Sequence, residues 1–463
     1  MRIELQAALQ APQYLAALLE ASVQGGTRED VRIRGIATDT AEVLPGDLFV
    51  ALKGAHADGN DYVCQAIQKG AVAVLTEREA PNTADNALCF RCKSIEDALL
   101  AAAGKWRKLC AARVIAVTGS AGKSTTKEAI AAVLGNAPHN EGNYNSTLGM
   151  PMSVMSFPKS EFWVCELGIN HVGEMEKMSS SLCPDIGVIT NVGSAHIGLF
   201  GDFQTILQEK LKLCAGMGKG ATLLVPLSLK KLGISAPLCH ILSVGEGKEA
   251  DLATENIAMD ASGTRCDLHY AKGEITNLTW PIPGVVGSSV LGLAAAVGVL
   301  CGRTPLQIRA GLQSAAQAPM HVCVYSVGQM LFLQDCYNAS PEACMAALES
   351  LRYLAQGRAR IAVLGDMLEL GAYSRFLHHT LGVSVYKTGV SYLFTYGALA
   401  ADVAAGAKEA GMADDRIFSF AAGEELLLAK SVLSHVPPDA AVLLKGSRAL
   451  KMERVAQELR RLL

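Results

Sequence analysis

The sequence predicts an α/β protein in three domains, and three observations carry that expectation. The chain has 463 residues, too many for one core when a domain commonly takes about 150. Short apolar runs alternate with amphipathic segments along most of its length, the pattern of parallel sheets covered by helices. A glycine-containing turn, TGSAGKST (Thr118–Thr125), separates an apolar strand from a helical run, as in proteins that hold phosphate on a helix N-terminus. The expected domains are a small N-terminal α/β domain (1–93), a central parallel-sheet domain around the phosphate loop (94–319), and a C-terminal Rossmann-like α/β domain (320–463).

In the first domain, Gly46–Val63 alternates short strands with turns and is followed by a helix-like segment and a strand at Val72–Leu75. In the second, a strand at Val114–Val117 leads into the phosphate loop. The helix after it carries Ala129, Ile130, Val133 and Leu134 on one face and stops at Gly135. A strand at Phe162–Cys165 closes on Glu166, and another at Ile186–Thr190 runs into a Gly/Ser loop holding His196. In the third, strands at Ile361–Leu364, Tyr392–Thr395 and Ala441–Leu444 each end in a polar or glycine-containing turn. Ligands gather at the carboxyl ends of such strands.

Half of the residues are hydrophobic and 18% are charged, so a large core can form. A net charge of −3 argues against a nucleic-acid binder. No apolar run approaches a membrane span, and the first residues, with Arg2 and Glu4, lack a long apolar signal core. A cytoplasmic location is therefore expected. The 13 cysteines are scattered and read as small apolar residues in a reducing compartment. Cys89 and Cys92 have no second pair at zinc spacing, so they read as part of a strand, Ala87–Cys92.

Three features carry chemistry. In the phosphate loop, Gly119 and Gly122 let backbone N–H groups approach phosphate, Lys123 would neutralise the outer phosphates, and the Ser124 hydroxyl would bind Mg²⁺. The strict pattern wants glycine at 117, where this chain has valine. Lys210 lies on a helix expected over Phe203–Met217 after an N-cap at Asp202. There Phe203, Ile206, Leu207, Cys214 and Met217 form one apolar stripe with Lys210 in its middle, while Glu209 and Lys212 lie away from it. An ammonium in that position must snorkel to the surface, find a partner or change chemically. Glu166 and His196 are each open to a solvated or a metal-binding reading.

Ordered segments along nearly the whole chain resemble the Mur ligase family of cell-wall enzymes. They are DTAEVLPGDLFVALKGAHADG (Asp39–Gly59), the phosphate loop, GNYNSTLGMP (Gly142–Pro151), ELGINHVGEM (Glu166–Met175), TNVGSAHIGLFG (Thr190–Gly201), DCYNASP (Asp335–Pro341), VLGDMLELG (Val363–Gly371), FTYG (Phe394–Gly397) and LKGSR (Leu444–Arg448). The resemblance implies an N-terminal UDP-binding domain, a central ATPase domain and a C-terminal ligase domain. It also implies the member that adds D-alanyl-D-alanine to a UDP-N-acetylmuramoyl-tripeptide, through an acyl phosphate. The Asn-Pro-Arg segment expected of the ligase that adds a diamino acid is absent.

By the same resemblance, ATP would be held by Thr118, Gly119, Ser120, Ala121, Gly122, Lys123, Ser124 and Thr125, with Asp335, Tyr337 and Asn338. Thr40, Asn143, Asn145, Ser146, Lys445 and Arg448 would contact substrate, and Gly365, Asp366 and Met367 would help shape the dipeptide site. Two Mg²⁺ ions would use Ser124, Glu166, His196 and Lys210. Lys210, 14 residues after His196, matches the lysine that the family carbamylates with CO₂. The expected catalytic residues are Lys123, His196 and Lys210, in a monomer without a nucleic-acid partner. Departures from the family pattern fall at Ala41, where an arginine is usual, at Ser146, at Val286 and Gly287, at Met320-His321, and at Lys212. A Mur ligase adding a single amino acid, or a non-catalytic nucleotide-binding relative, is the alternative.

Overall fold

A computed structural model describes residues 1–24, 31–54, 57–79, 87–260, 262–315 and 322–463. The expected boundary at 319/320 and the departure at Met320-His321 lie outside them. The chain divides into two compact units, one of Met1–Ala116, Ala137–Gly187 and Lys212–Ala221, the other of Val117–Asn136, Val188–Leu211 and Thr222–Leu463.

The described residues form three sheets, in keeping with the expected α/β architecture. The first holds β1 (Arg2–Glu4), β2 (Ser22–Gln24), β3 (Gly35–Ala37), β4 (Asp47–Val50), β5 (Ala73–Thr76) and β6 (Leu88–Arg91), in the order β1-β3-β4-β5-β6-β2. Its inner pairings are parallel and its two outer ones antiparallel. The second holds β7 (Arg113–Thr118), β8 (Phe162–Glu166), β9 (Ile186–Ile189), β10 (Thr222–Pro226), β11 (His240–Glu246), β12 (Leu252–Asp260), β13 (Gly263–Tyr270) and β14 (Gly273–Trp280), in the order β14-β13-β12-β11-β10-β9-β7-β8. The third holds β15 (Cys323–Val327), β16 (Met330–Asp335), β17 (Arg360–Gly365), β18 (Tyr392–Tyr396), β19 (Ile417–Phe420) and β20 (Ala441–Lys445), in the order β15-β16-β20-β17-β18-β19. All of its pairings except β15–β16 are parallel.

Strands buried on both faces explain the near-continuous apolar runs. Val114, Ile115, Ala116 and Val117 of β7 are all fully buried. In the third sheet the two faces separate by the period of two. Ala362, Leu364, Leu393 and Leu443 pack into one cluster, while Ile361, Val363, Phe394, Val442 and Leu444 pack into the other. Cys89 and Cys92 are both buried. Among the described residues no helix is long and apolar enough to cross a membrane.

One element differs from expectation. The helix anticipated over Phe203–Met217 is α-helical only over Phe203–Leu211 and tightens to a 3-10 helix at Lys212–Gly216. Asp202 caps it as expected, its Oδ1 accepting from the Thr205 N–H at 2.7 Å.

Candidate active site

The strand β7 runs one residue further than its apolar core and delivers Thr118 directly to the loop, which is why Val117 stands where the strict pattern wants glycine: it is the last core residue of the strand. A side chain at Gly119 (φ +155°) would collide with the Thr190 hydroxyl, and Gly122 (φ +74°) occupies the left-handed region at the start of the helix Lys123–Val133. The helix buries Ala129, Ile130, Val133 and Leu134 as expected. Asn191 and Thr190 hold the loop in shape. The Asn191 Oδ1 accepts from the N–H groups of Ser120 (3.1 Å) and Ala121 (2.8 Å), and the Thr190 hydroxyl donates to the Ala121 carbonyl (2.6 Å). Lys123 Nζ donates to the Gly119 carbonyl at 2.9 Å. The sequence offered Asn191 only as part of a longer matching segment, so its role as a loop brace was missed.

Lys210 is 2% exposed. Burial, reinforced by the positive charge of Lys123 and opposed by Glu209, pulls its ammonium down from 10.5 to about 7. Glu209 was expected away from the apolar stripe, yet it is also buried. His196 adopts a left-handed backbone (φ +64°) at the start of the short helix Ile197–Phe200. Its imidazole is held below the usual value by burial and by Lys123 and Lys210, with Glu369 opposing. Lys123, His196 and Lys210 therefore lie within electrostatic reach of one another.

Glu166 ends β8 and is 2% exposed. Its Oε1 accepts from Asn145 Nδ2 at 2.7 Å, whereas its buried Oε2 has no hydrogen-bond partner. Asn140, which the sequence reading missed, clamps the surrounding loop: its side chain donates to the carbonyls of Tyr144 (2.7 Å) and Glu166 (3.0 Å) and accepts from the Glu166 N–H (2.7 Å). Asn145, expected on the substrate, thus orients Glu166. Ser146 Oγ accepts from the Gly149 N–H (3.1 Å) and Asn143 is exposed. Thr40 is in a surface turn whose carbonyl accepts from Lys69 (2.7 Å) beside the departure at Ala41.

In the C-terminal stretch, β16 and β20 pair in parallel with Asp335 opposite Lys445. Lys445 is 1% exposed and donates to Asp335 Oδ2 (2.6 Å) and to the Asn338 carbonyl (2.9 Å). The strand register turns the ammonium inward onto Asp335. Tyr337 is half-buried, Asn338 exposed, and Arg448 exposed and paired with Glu453 (2.9 Å). Asp366 Oδ1 accepts from the Ala400 N–H (2.7 Å), and the buried His378 accepts from the Met367 N–H (2.9 Å), so this turn is braced from within.

The C-terminal stretch also grips the loop around His196. Glu342 Oε1 accepts from the Ser194 N–H at 2.7 Å, and Glu369 Oε2 lies 2.6 Å from His196 Nδ1, short but off the ring N–H axis. The Gly198 N–H donates to the Glu369 carbonyl (3.1 Å), and a side chain at either Gly198 or Gly371 would strike the backbone of the other segment. The departures at Val286 and Gly287 lie in the first turn of the helix Val285–Leu300, where a side chain at Gly287 would collide with the Ile282 carbonyl and Thr264.

Among the described residues no three His, Cys, Asp or Glu side chains are grouped to hold a metal ion. The expected donor set is of a different kind, a hydroxyl and a modified lysine beside one imidazole and one carboxylate. Fold and loop together define a phosphate-loop nucleotide-binding protein. Residues 32–132 match the Mur ligase family catalytic domain, 117–300 the Mur ligase middle domain, and 320–448 the Mur ligase glutamate ligase domain. The chain is 31% identical over 452 residues to the UDP-N-acetylmuramoyl-tripeptide–D-alanyl-D-alanine ligase of Bacillus subtilis (96% of this chain, 97% of that one). It is 33% identical to the enzyme of the same name from Synechocystis (93% of each). Among solved structures, MurF of Acinetobacter baumannii superposes with a TM-score of 0.87 at 26% identity (99% of this chain, 100% of that one). MurF of Thermotoga maritima in complex with ADP superposes with 0.80 at 25% (92% and 97%). This chain belongs to the Mur ligase family, and is a ligase.

Proposed function

We propose that this ligase uses ATP to join D-alanyl-D-alanine to a UDP-N-acetylmuramoyl-tripeptide in the cytoplasm, acting as a monomer. The observation that supports the chemistry best is the buried Lys210 beside Lys123 and His196 at the phosphate loop. The choice of substrates rests on the end-to-end likeness to the named relatives. UDP is assigned to residues 1–93, ATP to 94–319 and completion of the nucleotide site to 320–463, with Asp335, Tyr337 and Asn338 toward the nucleotide.

The tripeptide carboxylate attacks the γ-phosphate, ADP leaves, and the amine of the dipeptide then displaces phosphate to form the amide. Both partners of the first step are anionic, so positive charge must bring them together. Lys123 sits on the loop that would hold the outer phosphates. Bound Mg²⁺ would supply further charge neutralisation; Ser124, Glu166, His196 and Lys210 are its proposed holders. The unpartnered Glu166 Oε2 and the low-lying Lys210 amine suit that role. The neutral Lys210 amine attacks CO₂, forming an N–C bond and releasing a proton. The product is an anion, so repulsion from Lys123 becomes attraction.

Release of ADP and phosphate should require UDP-tripeptide and D-alanyl-D-alanine together. Release with a single amino acid would point to a different ligase of the family, and none under any combination to a non-catalytic relative. Lys123→Ala should abolish turnover in a folded protein, and near-normal turnover would defeat the assignment.

A further inference from the structure

His196 and Glu369 are 173 residues apart in sequence, yet their side chains meet. Both hold left-handed backbones, at φ +64° and +65°, which non-glycine residues adopt only at a cost in strain. Hydrogen bonds hold both segments in place: the Gly198 N–H donates to the Glu369 carbonyl, and the Ser194 N–H donates to the Glu342 carboxylate. Strain at both ends of one contact, with glycines cleared to let the two loops touch, marks an arrangement that the surrounding structure enforces. The Glu369 carboxylate faces Nδ1 of the imidazole. With Oε2 2.6 Å from Nδ1, the negative carboxylate favours the proton on that nitrogen although it lies off the N–H axis, which leaves the Nε2 lone pair for a metal.

We propose that Glu369 is a positioning residue for metal binding: it fixes the tautomer and orientation of His196, so that the C-terminal stretch prepares a ligand held on the loop after β9. This rests on the reading of His196 as a metal ligand. Glu369 itself touches neither metal nor substrate. Its effect is on the affinity and geometry of the imidazole's bond to the cation.

The test uses Mn²⁺ as a paramagnetic probe for Mg²⁺ on the full-length protein with ADP. Electron spin-echo modulation reads the histidine nitrogen at the metal, and a titration reads affinity. The wild type should show the nitrogen coupling and His196→Ala should lose it. Glu369→Ala should weaken Mn²⁺ at that site by about 10–100-fold, with ADP affinity in the absence of metal unchanged as a check on folding. Glu369→Gln keeps an acceptor oxygen and should restore most of the loss. If His196→Ala leaves the coupling intact, the metal reading itself falls and takes the proposal with it. If His196→Ala loses it while Glu369→Ala keeps both coupling and affinity, only the role of Glu369 is overturned. Equal loss in Glu369→Gln and Glu369→Ala also overturns it, because a neutral acceptor should still orient the ring.

Discussion

Lys210 and Lys445 are 2% and 1% exposed, yet their surroundings move their ammonium groups in opposite directions. Burial and the charge of Lys123 pull Lys210 down to about 7, with only Glu209 opposing. Lys445 suffers the same desolvation, but Asp335 at 2.6 Å outweighs it and holds the group above its ordinary value. One lysine is thereby eased toward its neutral form and the other is held as a cation. Burial alone does not decide what a lysine does; the carboxylate beside it does.

The largest effect that can break this contrast is catalytic. Lys210→Ala should lower kcat by at least about 10²–10³-fold, the scale of losing a charged group that organises the transition state. A small carboxylate at high concentration should restore part of the rate by taking the place of the carbamate. Lys210→Arg should fail as badly, since it keeps the positive charge and cannot react with CO₂. An arginine variant with wild-type turnover would sink the carbamate, as would a ¹³C spectrum of ¹³CO₂-equilibrated enzyme without a carbamate signal assigned to this residue.

Lys445→Met should act on stability. It leaves Asp335 without its partner, and breaking such a buried pair destabilises by about 3–5 kcal/mol; the partial exposure of Asp335 (17%) places the expectation at the low end. Urea unfolding of the single variant and of Lys445→Met with Asp335→Leu should show the double variant recovering much of the loss. No destabilisation in the single variant would remove the structural half of the comparison.

The pH dependence should differ in sign between the two lysines. Without CO₂, Lys210 has a folded pKa near 7, below its unfolded 10.5, so between those values the unfolded chain binds more protons and stability rises with pH. Lys445, with a raised folded pKa, contributes fully below 10.5 and loses its contribution only as pH climbs past its folded value. In CO₂-free buffer the wild type should therefore gain on Lys210→Met by up to about 1.4 kcal/mol per pH unit above pH 7. Its difference from Lys445→Met should stay flat there. Parallel curves for wild type and Lys210→Met would contradict the depressed amine.

The smallest effect is expected from Glu209→Gln, which removes the one charge that favours the Lys210 ammonium. The amine should become neutral at lower pH, by less than about one unit, and carbamate should form at correspondingly lower pH. A shift to higher pH would mean that Glu209 does not act on this lysine.

The features legible in the sequence were those set by local pattern. The phosphate loop, the strand ends at Glu166, Gly365 and Lys445, and the inward face of Lys210 follow from periods of two and 3.6 residues and from glycine placement. Glu209 escaped that logic because the helix is buried around more than its apolar stripe. The pairing of Lys445 with Asp335 depends on the register of two strands 110 residues apart, and no local period encodes register. Asn140, Asn191 and Glu369 were missed for the same reason, since each acts through a contact distant in sequence and its residue type is ordinary in a loop.

Gly198 and Gly371 meet backbone to backbone. Adding even one carbon at either position would wedge the two segments apart and draw Glu369 away from His196. Neither glycine can therefore drift on its own over evolutionary time, and no single substitution at the other can compensate, because glycine has nothing left to give up. Resistance to an inhibitor lodged against this junction could not come from either glycine.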